Sequence, residues 1–109
     1  MTKEFIVPME LQSIDSATID PALWTAIGNP VEEALSLIKI TNASDEDIII
    51  SYDGIREHEY IVSGKKSVTY FQFNERNDCD TALLAKNTVI YVKGTAGTGY
   101  IFVAGYYNG

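Results

Sequence analysis

Turn-forming residues recur so often along this chain that a long helix has no room between them. Asn42-Ala43-Ser44-Asp45-Glu46-Asp47, Asp53-Gly54, Ser63-Gly64-Lys65-Lys66, Asn74 to Asp80 and Gly94 to Thr98 divide it into short segments rich in β-branched and aromatic residues. Strand-like segments spaced roughly 8–12 residues apart, with turn signals between them, belong to sandwiches and barrels. The predicted fold is therefore all-β, a compact antiparallel β-sandwich or barrel of about 7–8 short strands. A chain of 109 residues supports one hydrophobic core, so a single domain over residues 1–109 is expected.

The individual segments carry the pattern. From Glu4 to Gln12, Phe5, Val7, Met9 and Leu11 alternate with Glu4, Ile6, Pro8, Glu10 and Gln12, which predicts a half-buried strand with the first set inside and Glu4 and Glu10 outside. Pro8 has no N–H for a ladder bond, which marks an edge or a break. Ser13 to Pro21 is a polar stretch. Between Val31 and Ile40, Asn29 suits a helix cap and Pro30 a first helical position, but Leu37 and Ile40 fall off the helical stripe. One helical turn at most is expected near 30–34, followed by a strand from about 35 to 42. Further strands are expected at Ile48–Tyr52, Glu59–Val62, Ser67–Phe73, Thr88–Lys93 and Gly99–Tyr107, with a possible single helical turn from Asp80 to Leu84. The last two strands, joined by Gly94 to Thr98, are expected to pair as an antiparallel hairpin.

Composition narrows the function classes. Eight Lys and Arg against 15 Asp and Glu leave a net charge of −7, whereas proteins that grip nucleic acid need clustered cations. No direct nucleic-acid contact is expected. No apolar run approaches the roughly 20 residues of a membrane-spanning helix, so no membrane association is expected. Met1-Thr2-Lys3-Glu4-Phe5 has no cationic stretch leading into an apolar one, and Cys79 is the single cysteine. The expectation is an intracellular site of assembly with neither secretory signal nor internal disulfide.

The residues that could carry chemistry do not form a catalytic or ligand-binding constellation. Asp45, Asp47, Asp53, Glu57 and Glu59 concentrate carboxylates, but placing Gly54 at position six of a calcium loop puts Ile49 at position one and Tyr60 at position twelve. Solvated loop charges explain them better. His58 is the lone histidine, without a second for a metal pair. Pairing it with Cys79 as a nucleophile would also need an orienting group and an oxyanion hole, for which nothing local speaks. Asp78 and Asp80 flank Cys79, and neighbouring carboxylates disfavour a thiolate. Gly94-Thr95-Ala96-Gly97-Thr98-Gly99 has phosphate-loop glycine spacing, but Tyr100 stands where lysine is required and a strand follows. No catalytic residue, metal ligand or cofactor is expected, and no enzymatic activity.

The last strand is apolar on both sides. Ile101, Val103 and Tyr107 share one face, and Tyr100, Phe102, Ala104 and Tyr106 share the other. Antiparallel sheets normally bury one face and wet the other. A second apolar face suggests cover by another protein surface, making Tyr100, Phe102 and Tyr106 candidate subunit-interface residues with Ile101 and Val103 lining the core. Because both sets are apolar, the inverted assignment stays open. The bland alternative is a curled barrel with tyrosines lying flat on its outside.

Two blocks extend this reading. Ile38-Lys39-Ile40-Thr41-Asn42 through Ser51-Tyr52-Asp53-Gly54 to His58, and Tyr91-Val92-Lys93-Gly94-Thr95-Ala96-Gly97-Thr98-Gly99 through Tyr106-Tyr107, resemble a group of small virion structural proteins of tailed bacteriophages. The resemblance covers roughly residues 35–109 and leaves the N-terminal part unmatched. It implies a β-rich, non-enzymatic particle component assembled in the host cytoplasm, with copies of itself and other virion proteins as partners. The expected place is the head-to-tail neck or the tail. Alternatives are a capsid decoration protein or a small module that binds carbohydrate or a host surface.

Overall fold

A computed structural model describes residues 6–64, 66–71 and 84–108. Among them lie nine strands in chain order: β1 (Ile6–Pro8), β2 (Gln12–Asp15), β3 (Thr25–Ala26), β4 (Leu37–Ser44), β5 (Ile48–Ser51), β6 (Glu59–Ile61), β7 (Lys66–Phe71), β8 (Tyr91–Gly94) and β9 (Gly99–Asn108). The larger sheet runs β1-β9-β4-β7, with β2 also paired to β9, and the smaller runs β3-β8-β5-β6. Every pairing is antiparallel. The all-β prediction holds.

The core lies between the sheets. Ile38 and Ile40 of β4, with Ile101 and Val103 of β9, face Ile48 and Ile50 of β5 and Val92 of β8, all at most 1% exposed. Among the described residues nine of the thirteen buried core residues are isoleucine, whose branched side chain suits the pleated surface of a strand. Ile101 and Val103 are therefore core residues; alternation along β9 groups them on one face, and burial decides that this face is the inner one.

Four expectations need correction. The first strand does not run unbroken from Glu4 to Gln12. Pro8 lies opposite Tyr106 and Gln12 opposite Val103, so the N-terminal strand advances four residues while β9 advances three. The extra residue is a bulge, and it exchanges the faces of the alternation. Val7 and Met9 stay half-buried, Ile14 takes over the inward position, and Leu11 is 57% exposed instead of in the core. Glu10 is exposed as expected; Glu4 and Phe5 lie outside the described residues.

The stretch after Asp15 makes a short 3-10 turn, Ser16–Thr18, where Asp15 Oδ1 accepts from Ala17 N–H at 2.9 Å. No helical turn forms at 30–34. Val31 N–H donates to the Thr88 carbonyl, Asn87 N–H donates to that of Val31, and Leu35 bridges Leu84. These partners tie the segment to residues 84–88 and leave it bent rather than helical. The following strand also ends later than expected, at Ser44, because Asn42 and Ser44 are buried rather than turned into solvent. The possible turn over Asp80 to Leu84, and Cys79, fall outside the described residues apart from Leu84.

The expected hairpin between the last two strands is absent. β8 pairs with β3 and β5, whereas β9 pairs with β1, β2 and β4. Gly94 to Thr98 is thus a crossover between sheets. Gly99 shows why it passes so tightly: its φ is +112°, and a Cβ there would run into the Ala43 carbonyl oxygen.

Candidate functional site

The outward side of β9 presents Tyr100, Phe102, Ala104 and Tyr106 in alternation with the buried Ile101 and Val103. Tyr100 is 48% exposed, Phe102 and Tyr106 are half-buried, and the Tyr100 and Phe102 rings stack at 6.1 Å between centroids. Register supplies their surroundings. Asp15 and Ala43 flank Tyr100, Ser13 and Thr41 flank Phe102, Lys39 lies beside Ala104, and Pro8 and Leu37 flank Tyr106. The three aromatic residues singled out from sequence therefore lie in one row on the outer face of the larger sheet. Lys39 and Asp15 were not singled out. Alternation with Ile38 and Ile40 could have put Lys39 on that face, but Asp15 sits in a stretch that reads as loop.

Ser51, Asp53 and His58 spend their side-chain polar groups within their own loop. Ser51 Oγ accepts from Gly54 N–H at 2.9 Å and donates to Asp53 Oδ1 at 2.9 Å. Asp53 Oδ1 also accepts from Ile55 N–H at 2.8 Å and Arg56 N–H at 2.9 Å. The Arg56 and Ile55 amides, assisted by the Ser51 hydroxyl and the nearby His58, hold the Asp53 carboxyl down at about 2. His58 Nδ1 accepts from Tyr52 N–H at 3.0 Å, and its ring stacks on Tyr52. An imidazole nitrogen that accepts a backbone proton is positioning the loop. Gly54 has φ +75°, as the Asp-Gly pair predicts.

The other carboxylates of the acidic stretch work separately. Asp45 Oδ1 accepts from Thr98 N–H at 2.8 Å, fastening the crossover to the end of β4. Asp47 accepts from the Tyr60 hydroxyl at 2.6 Å and from Ser63 N–H at 2.9 Å, contacts that lower its pKa and raise that of Tyr60. Glu57 pairs with Lys93 at 3.5 Å, and the same ammonium lies 4.5 Å over the Trp24 ring. Among the described residues no three His, Cys, Asp or Glu side chains converge as metal ligands. The glycine-rich crossover likewise turns its amides inward: Gly94 N–H donates to Asp20 O and Gly97 N–H to Ser16 O.

No protein-family model, curated protein or solved structure matches the chain. Among the described residues no helix is long and apolar enough to cross a membrane.

Proposed function

We propose that the chain is a non-enzymatic structural subunit of a tailed-phage virion, working through repeated protein–protein contacts at the head-to-tail neck or along the tail. The observation that carries this reading is the aromatic row Tyr100, Phe102 and Tyr106 on the outer face of a strand whose inner face already fills the core. Aromatic side chains offer large contact area at small conformational cost and dominate the energetics of protein interfaces. The polar side chains with chemical potential are engaged in shaping loops, which suits a scaffold. The resemblance of residues 35–109 to small virion proteins supplies the setting, and the net charge of −7 keeps free subunits soluble before assembly.

The test is recovery of the chain from density-purified particles of the phage encoding it, with wild type and Tyr100→Ala compared. Stoichiometric wild-type recovery, reduced for the variant at unchanged subunit stability, is the expected result. A chain absent from purified particles overturns the reading.

A further inference from the structure

Among the described residues, the outer face of the larger sheet places a cation and an anion symmetrically about an aromatic centre. Lys39, exposed on β4, lies opposite Ala104; Asp15, exposed on β2, lies opposite Tyr100. The two flank β9 on opposite sides, and Phe102 lies midway between Ala104 and Tyr100 along it. Strand geometry puts Lys39 and Asp15 about 14 Å apart along the strands and about 10 Å apart across them, with Phe102 near the midpoint. Among the described residues Lys39 has no ion-pair partner. Asp15 uses Oδ1 for the Ala17 amide, and among the described residues Oδ2 makes no hydrogen bond.

From this placement we infer that the face is self-complementary and docks on a second copy of this chain about a two-fold axis. The axis lies in the interface above Phe102, perpendicular to the line joining Lys39 to Asp15. Rotation about it carries Lys39 of each copy onto Asp15 of the partner subunit and sets Phe102 against its own equivalent. One surface thus makes two identical ion pairs around an aromatic contact, the arrangement an isologous interface requires. Charge complementarity selects this occupant. A chain of net charge −7 repels its copies unless opposite charges are brought into register, and this face brings the pair into register twice. Tyr100, stacked on Phe102, extends the aromatic contact along β9. The inference rests on the assembly reading above and specifies one of its contacts.

Charge swaps test it by sedimentation equilibrium of the purified chain. Lys39→Asp alone sets carboxylates against carboxylates at both contacts, and Asp15→Lys alone sets ammonium groups against each other. Each is expected to weaken self-association by at least about tenfold. An equimolar mixture of the two single variants restores opposite charges at both contacts, as does the double variant K39D/D15K, and both are expected to recover dimer. Circular dichroism checks that each variant keeps its β-sheet. Asp15→Lys loses the acceptor for Ala17 N–H, so Asp15→Asn serves beside it; Lys39→Asp touches no cap and must weaken association in any case. Self-association indifferent to these swaps overturns this interface and leaves the assembly reading standing. A wild-type chain that stays monomeric at every concentration overturns it as well, while recovery from particles independently decides the broader reading.

Discussion

Asn42 and Ile61 stand on different sheets, and a 3.0 Å hydrogen bond from the Asn42 side-chain amide to the Ile61 carbonyl joins them. The same NH2 group donates to the Glu46 carbonyl at 2.9 Å, and Asn42 Oδ1 accepts from Ser44 N–H and, at 2.6 Å, from Ser44 Oγ. A fully buried amide is thus satisfied at every donor and acceptor site. Asn42→Ala should leave these backbone groups unpartnered and cost about 2–4 kcal/mol, read as a urea-midpoint shift. Ser44→Ala keeps the Asn42 bonds to Ile61 and Glu46 and should cost less, about 1 kcal/mol.

Glycine substitutions separate strain from collision. Gly64 has φ +91° with open space where a Cβ would stand, so Gly64→Ala should cost about 1 kcal/mol. At Gly54, with φ +75°, a Cβ would lie 3.1 Å from the Tyr91 ring, so Gly54→Val should cost about 1 kcal/mol or more. Gly99→Ala adds a clash with the Ala43 carbonyl to its strain and should be the most damaging of the three. Thermal midpoints in the order Gly64→Ala, Gly54→Val, Gly99→Ala, from highest to lowest, are the expected outcome.

Acid should loosen the 51–58 loop. Asp53 titrates at about 2 in the fold against an ordinary 3.8, so its contribution to stability is complete above that ordinary value and is lost as pH falls toward about 2. Stability measured by denaturant between pH 5 and pH 2 should therefore decline, with Asp47, whose pKa is also lowered, adding to the slope. Asp53→Asn keeps an oxygen acceptor for the Ile55 and Arg56 amides but does not titrate. Its decline over that window should be shallower than wild type.

Tyr100→Ala and Val103→Ala should part company. Val103 is fully buried in the core, and its truncation should lower the thermal midpoint of the free subunit. Tyr100 is 48% exposed, so its loss should leave that midpoint nearly unchanged while weakening subunit contacts. Equal stability losses at both positions would show that Tyr100 belongs to the core.

What the sequence made legible was what local pattern determines. Alternation in β9 grouped Ile101 with Val103 on one face, and the Asp-Gly pair located a left-handed turn. The run Ile48-Ile49-Ile50 in β5 has no alternation to read, and only burial separates its faces. Partner choice was not legible, because β8 and β9 carry no local mark of which strand they pair with. A hairpin looked natural from the short Gly94–Thr98 interval, yet the crossover is held by contacts from distant residues, Asp45, Ser16 and Asp20. Pro8 marked an edge or a break in the sequence, but the extra residue after it shows only in the register against β9. The aromatic row was visible in sequence, whereas its charged neighbours Lys39 and Asp15 come together across β9 through long-range pairing.

That pairing also sets the order in which the chain can mature. β9 is the strand on which β1, β2 and β4 all depend, and it follows every other described strand in sequence. During synthesis the early strands must wait with unpaired edges until Gly99 to Asn108 emerges, and closure then spans nearly the whole sequence. Contacts of such long sequence separation favour slow folding and leave sticky edges exposed meanwhile. A ribosome stalled before Gly99 would release a chain lacking the middle of its larger sheet, with β4 open along one side.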